Sequence, residues 1–168
     1  ARMGPRCLSR MHGMWAFAIW DRAERTLFAA RDRMGVKPFF YHVSPQRIAF
    51  ASRPRALHAL LPDLSRALDP QALRLYFEAG YVPTPLSIFA SIRKLPPAHH
   101  LTWHAGRVSI ERYWDACEIE PEPAWETRRE DDLLDELQEI VERTVRGRLL
   151  SDVPLGAFLS GGIDSSTV

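Results

Sequence analysis

The chain has 168 residues, 46% of them hydrophobic and 26% charged, which is the composition of a soluble globular protein with length for one domain or slightly more and for a real core. Its 22 basic and 21 acidic side chains leave a net charge of +1, and Arg22, Arg25, Arg31 and Arg33 are interspersed with Asp21, Glu24 and Asp32, so charge points to neither nucleic acid nor a membrane surface. The early apolar run Met14 to Trp20 falls far short of the ~20 residues of a membrane-spanning helix and follows no basic-then-apolar signal, which makes the cytoplasm the expected compartment.

In chain order, Met14 to Trp20, Thr26 to Ala30, Pro38 to His42 and Arg47 to Ala51 are short aromatic and β-branched runs. Turn signals at Asp21 to Glu24 and Ser44-Pro45 separate them, which predicts an antiparallel meander. The first run is apolar on consecutive positions, as in a strand covered on both faces, and this places the sheet inside a layered fold. Ser52 before Pro54, with apolar spacing to Leu61, predicts a short helix capped by Ser52. Asp69-Pro70 before Ala72 to Ala79 predicts a second helix, ended by Gly80. Tyr81 to Pro97, with Pro83, Pro85, Pro96 and Pro97, predicts a proline-punctuated connection. Leu101 to Trp103 and Val108 to Tyr113, around Ala105-Gly106, predict a hairpin.

Residues Ala116 to Arg128 are rich in glutamate and proline and poor in large apolar side chains, the composition of an exposed linker and hence of a domain boundary. Beyond it Leu133, Leu134, Leu137, Ile140, Val141, Val145 and Leu149 recur at three- and four-residue spacing, which predicts a helix of about five turns. After Ser151 to Pro154, the run Leu155 to Leu159 is a candidate buried strand feeding directly into Ser160-Gly161-Gly162. The chain opens on Ala1 rather than Met and stops at Val168, where a further helix is starting, so both ends are expected to be cut.

The strongest local signal is the succession of strand, Ser160-Gly161-Gly162-Ile163-Asp164-Ser165-Ser166, and helix start. Two adjacent glycines let consecutive amides converge, and a helix N-terminus behind them adds partial positive charge, which together make an anion nest. Ser160, Ser165 and Ser166 add hydroxyl donors. The Asp164 carboxylate would repel phosphate unless a metal bridges them, which points to Mg²⁺. The GxxxxGK[ST] spacing of a Walker A loop and its lysine are both missing. A bland glycine-rich turn with serines capping a helix is the competing reading of the SGG triplet, and the full heptad after an apolar run favours phosphate.

With that heptad in view, a family resemblance emerges. Ser160 to Ser166 resembles the pyrophosphate loop of the ATP-pyrophosphatase ligases, and Arg148 to Leu159 resembles the segment preceding that loop in glutamine-hydrolysing asparagine synthetases. The likeness runs back through Gly13 to Asp21, Ala30 to Pro38, Phe50 to Ser52, Gly80 to Pro85 and Ile92 to Pro97, in family order. It implies an α+β fold. Residues 1–115 would be the C-terminal part of an N-terminal-nucleophile glutaminase (a type-2 glutamine amidotransferase domain), 116–128 a linker, and 129–168 the first helix and strand of an α/β ATP-pyrophosphatase domain.

The activity implied is a carbon-nitrogen ligase of asparagine biosynthesis. Glutamine supplies ammonia, ATP adenylates the aspartate side chain, and ammonia displaces AMP. The partners are thus glutamine, aspartate and ATP, with Mg²⁺ as cofactor, and a homodimer is compatible with this reading. Ser160, Gly161, Gly162, Ser165 and Ser166 match the family's pyrophosphate-binding positions. Asp164 matches its magnesium-side aspartate, and Phe158 a position whose backbone borders the nucleotide. The glutaminase nucleophile of the family is an N-terminal cysteine whose own α-amine serves as base. Here the chain starts with Ala1, and no catalytic residue of that centre is expected within it.

Other residues carry less. Cys7 and Cys117 have no CxxC or nearby Cys/His spacing, so reduced structural thiols are expected. The six histidines, with His12, His58 and His99-His100 among them, lack HxxxH or HExxH spacing, and surface or core roles are the expectation. The five tryptophans read as strand, hairpin or linker residues. Arg93-Lys94 marks either a domain contact or a solvated turn, and Asp32-Arg33 a structural charge cluster. One departure from the family is Arg53-Pro54-Arg55 where a glutamate usually follows Phe50-Ala51-Ser52. It keeps open a related amidotransferase acting on another carboxylate, such as a polysaccharide or β-lactam precursor. A non-catalytic module that retains the fold is the third reading.

Overall fold

The chain's first regular strands meet at a turn built by one aspartate. Asp21 Oδ1 accepts from the amides of Ala23 and Glu24 at 2.9 and 3.1 Å, which folds β1 (Ala16–Asp21) back on β2 (Thr26–Arg31) in antiparallel register with Ala18 opposite Ala29. The computed structural model describes residues 4–120 and 125–167, and it divides into two compact units, Ala1–Glu118 and Ile119–Val168. A 3-10 helix, Gly4–Arg10, precedes β1 and was not signalled by the sequence.

In the first unit, β3 (Phe40–Val43), β4 (Ile48–Ala51), β5 (Arg93–Lys94), β6 (His99–His104) and β7 (Arg107–Arg112) complete two antiparallel sheets. Their orders are β1-β2-β6-β7 and β4-β3-β5. The single meander expected from the first four runs is therefore corrected: β1 and β2 belong to one sheet, β3 and β4 to the other. The free edge of β2 is taken by β6, with Ala29 opposite Leu101, and residues 32–39 carry the chain across to the second sheet. Arg93-Lys94, left open by the sequence, forms β5 on the edge of β3.

Strand alternation sends Leu27, Ala29 and Leu101 to one face of the first sheet. There Ala29 and Leu101 cluster with Phe39, Tyr41 and Leu95, and Ala16, Ala18, Val43, Ile48, Trp103 and Val108 pack around them. The opposite face of the second sheet meets α1 (Pro54–Leu60) through Ala49, Leu57, Leu61, Leu64 and Ile92. Sheet, sheet and helix thus form the expected layers, each fully buried leucine contributing about 2 kcal/mol. Coverage of Met14 to Trp20 on both faces is not observed. Ala16 to Ala18 are half-buried while Ile19 and Trp20 are exposed, because β1 is an edge strand and only one face of its sheet lies against the second sheet.

Helix ends follow the sequence in one case and not the other. In α2 (Pro70–Ala79), Asp69 Oδ1 accepts from the amides of Gln71 and Ala72 at 2.9 and 3.1 Å, and Gly80 closes the helix in the left-handed region at φ 77°. For α1 the N-cap is Arg53, without a side-chain cap bond, rather than Ser52. Pro54 at the first helical position sets the start whichever residue precedes it. The β6–β7 turn places Ala105 and Gly106 at φ 47° and 80°, the conformation of a type I′ hairpin turn.

In the second unit α3 spans Glu130–Arg146, acidic in its first turn at Glu130, Asp131 and Asp132 and basic in its last at Arg143 and Arg146, the polarity its dipole favours. Leu134, Leu137 and Ile140 on its apolar stripe are exposed. The buried strand expected at Leu155 to Leu159 is not formed: no strand is assigned there and Leu155, Phe158 and Leu159 are exposed. Among the described residues nothing offers it a ladder partner, and a lone extended run has no backbone bonds to define it. Short 3-10 turns, Ala116–Glu118 and Trp125–Thr127, fall within the expected linker. Residues 121–124 of that linker, Ala1 and Val168 lie outside the described residues. Among the described residues no helix is long and apolar enough to cross a membrane.

Candidate functional site

The loop singled out by sequence closes on itself through two serines. Gly161 sits at φ 77°, where a side chain is disfavoured, and turns the chain so that Ser160 faces Ser165. The Ser160 amide donates to Ser165 Oγ at 3.3 Å, the two hydroxyls are 2.9 Å apart, and Ser165 Oγ donates to the Gly162 carbonyl at 3.1 Å. A short helix, α4 (Ile163–Thr167), follows. It is tied by the Ser166 amide to the Gly162 carbonyl at 3.1 Å and by Thr167 Oγ1 to the Ile163 carbonyl at 2.8 Å. The Thr167 bond was not anticipated.

Of the predicted site residues, Ser160, Gly161, Gly162, Asp164, Ser165 and Ser166 thus share one turn. Asp164 is exposed in the first turn of α4. Phe158, two residues before that turn, has its side chain wholly exposed. The donor set suits an anion: amides and hydroxyls around two glycines, with a helix start behind them. Among the described residues no three His, Cys, Asp or Glu side chains stand close enough to hold a metal by themselves. A magnesium ion carried with phosphate needs only one or two carboxylates, and Asp164 fits that requirement. A groove of about 450 Å³ between α3 and α4 is lined by Val141, Val145, Leu149 and Thr167.

In the first unit the Ala30 to Pro38 block is a backbone hub. Asp32 is 1% exposed. Its carboxylate accepts from the amides of Val36 at 2.9 Å, Lys37 at 3.0 Å and Trp15 at 3.3 Å. Arg31 donates to the carbonyls of Lys37 and Leu95, each at 2.7 Å, and Gly35 at 2.5 Å. Burial lowers the Arg31 pKa, with Asp32 opposing. Burial likewise lowers that of Lys94, helped by Arg31, and Lys94 Nζ donates to the Val82 carbonyl at 2.5 Å. Arg33 turns away from Asp32, to the Ser9 carbonyl at 2.9 Å and the Trp114 ring. The expected Asp32-Arg33 charge cluster is therefore a hub of main-chain bonds.

Cys7 is half-buried and free. Cys117 is exposed, which corrects the structural role expected of it. A cavity of about 620 Å³ beside β1 is bordered by Cys7, Ile19, Trp20, Arg22 and Phe28. His58 and His100 are buried, in keeping with core roles.

Comparison with known proteins gives two family matches in sequence. The model described as glutamine amidotransferase domain matches residues 1–114, and the one described as asparagine synthase matches residues 136–168. Among curated proteins the chain is similar to asparagine synthetase (glutamine-hydrolyzing) 3 of Bacillus subtilis, at 39% identity over 96% of this chain and 26% of that protein. It is also similar to asparagine synthetase (glutamine-hydrolyzing) 1 of the same organism, at 34% over 95% and 24%. Amidase chry2 of Gibberella zeae is 32% identical over 96% of this chain and 23% of its own length. The chain thus spans about a quarter of the length of these relatives.

Proposed function

This chain belongs to the glutamine amidotransferase domain family, and on that premise we propose that it is part of a glutamine-dependent, ATP-consuming amide ligase that converts aspartate to asparagine. The observation that carries the reading is the order of two matches along one chain, amidotransferase then asparagine synthase, with the Ser160–Ser166 turn inside the second. Residues 1–115 are read as the C-terminal part of an N-terminal-nucleophile glutaminase, 116–128 as the linker, and 129–168 as the start of an ATP-pyrophosphatase domain. The enzyme is read as cytoplasmic, and a homodimer is compatible with that reading.

In the proposed reaction an aspartate carboxylate oxygen attacks the α-phosphorus of ATP and pyrophosphate leaves. Ammonia released from glutamine then displaces AMP from the acyl phosphate. The negative charge that builds on the leaving pyrophosphate is what donors at Ser160, Gly161, Gly162, Ser165 and Ser166 would stabilise. Asp164 would hold Mg²⁺, which spreads charge over the phosphate oxygens. The Phe158 backbone would border the nucleotide.

The test is carried out on the enzyme encoded by the complete reading frame that contains these residues. With glutamine, aspartate, ATP and magnesium, AMP, pyrophosphate and asparagine are expected in equal amounts, and Asp164→Ala is expected to lower the rate at least tenfold. A second reading, amide formation on another carboxylate, draws on Arg53 at a position where a glutamate is usual and on the likeness to a protein named amidase. AMP release that ignores aspartate and responds to a different acid would favour it. No ATP consumption with any acid would leave a module that only retains the fold.

A further inference from the structure

We propose that the open side of β1, its free edge and the groove beside it, is the seat of the part of this chain that precedes Ala1; this rests on the reading of residues 1–115 as the C-terminal part of a glutaminase. Among the described residues the first sheet has two open edges, β1 at one end of the order β1-β2-β6-β7 and β7 at the other. They are built differently. β7 carries Arg107, Glu111 and Arg112, charges of the kind that keep a free edge from pairing. β1 runs Ala16-Phe17-Ala18-Ile19-Trp20 with neither charge nor proline before Asp21. An edge that faces water has the first composition, whereas the second belongs to an inner strand.

The face beside that edge agrees. Ala16 and Ala18 pack toward the second sheet, so alternation sends Phe17 and Ile19 to the opposite face. There the Phe17 and Phe28 rings lie 6.2 Å apart, and the Phe28 and His100 rings 5.4 Å. Ile19 is 58% exposed on a strand that is apolar on both faces, the pattern of a strand covered twice. The groove of about 620 Å³ follows this face, with Ile19, Phe28, Arg22 and Glu24 in its lining. The rest of its wall selects the occupant. Gly4 and Cys7, from the 3-10 helix that opens the described chain, line the same groove. Residues upstream of them are therefore delivered to it by the chain itself, without the loss of translational freedom that a second copy would incur. The chain spans about a quarter of the length of its relatives, so a preceding segment long enough to cover this side is compatible with their size.

The test uses the enzyme encoded by the complete reading frame. Ile19 is replaced by the photo-crosslinking residue p-benzoylphenylalanine, and in a second variant Arg22, exposed on the same groove, is replaced instead, so that one variant reports if the other fails to fold. After irradiation the joined peptides are identified by mass spectrometry, and the mass of the product on a denaturing gel separates bonds within one chain from bonds between copies. Both variants are expected to join, within one chain, to peptides from upstream of Ala1. An Ile19→Cys thiol is expected to react with a maleimide about tenfold or more slowly in the folded enzyme than in urea, since labelling then waits on local opening. Joined peptides from a second copy, joined peptides from downstream of Ala1 alone, or none at all overturn the seat. Glutamine hydrolysis by the unsubstituted enzyme in any of those cases leaves the glutaminase reading standing. A reading frame that encodes nothing upstream of Ala1 overturns both.

Discussion

The Tyr113 hydroxyl donates to the Arg31 carbonyl at 2.7 Å, a bond between residues 82 positions apart. The Tyr113 ring stacks on Trp15 at 6.1 Å, and its amide donates to the Ala98 carbonyl at 2.8 Å. Burial, then the nearby Asp32 carboxylate, pushes the phenol pKa up to about 12, with Arg33 opposing. A folded pKa above the ordinary 10 makes this contribution complete below pH 10 and lost as pH rises through the folded value. Tyr113→Phe is expected to cost about 1 kcal/mol at neutral pH and to flatten the alkaline limb of a plot of stability against pH, as read by urea unfolding.

Asp32→Asn tests the hub. The carboxylate takes three main-chain amides, and an amide group in its place turns an NH₂ toward N–H donors. A loss of about 3 kcal/mol is expected, seen as a lower urea midpoint with an unchanged slope. A loss below about 0.5 kcal/mol would show that the hub does not hold the block together.

His100 gives the acid limb. It is buried beside Phe28 at 5.4 Å, its Nδ1 has no partner, and its Nε2 is 4.0 Å from a Glu111 oxygen. Burial lowers its pKa below 6.5, aided by His99 and opposed by Glu111. Stability from this neutral ring is present above 6.5 and lost as pH falls through the depressed folded value. His100→Phe, which keeps an aromatic ring there, is expected to reduce the slope of thermal stability between about pH 7 and pH 5. An unchanged slope would assign the acid limb to other groups.

Gly106→Ala is expected to destabilise by about 2 kcal/mol. The residue sits at φ 80°, and an added Cβ would come within 2.7 Å of the Pro45 carbonyl oxygen, a backbone atom that cannot swing aside. Thermal unfolding measures this directly, and a change of less than about 0.5 kcal/mol would mean that the two turns part at no cost.

Local chemistry was legible where one short segment decides the outcome. Asp69-Pro70 and Gly80 marked both ends of α2, Ala105-Gly106 marked a hairpin turn, and the three- and four-residue spacing from Leu133 marked α3. What escaped depends on distant residues. Periodicity says that Thr26 to Ala30 is a strand but not that β6, more than seventy residues later, takes its edge, and so the meander was misjoined. Leu155 to Leu159 carries a strand pattern, yet a pattern supplies no ladder partner. Within the Ser160–Ser166 turn the residue types announced an anion site, while the pairing of Ser160 with Ser165 needed coordinates.

The long reach of the Arg31 contacts sets a timetable for the nascent chain. Arg31 is bonded to Leu95, 64 positions on, and to Tyr113, 82 positions on. At roughly 5–20 residues per second of synthesis, the second partner follows Arg31 by about 4–16 s. For most of that interval the β1–β2 hairpin has neither β6 on its edge nor Leu95 over its apolar face, and it stays open to a ribosome-associated chaperone.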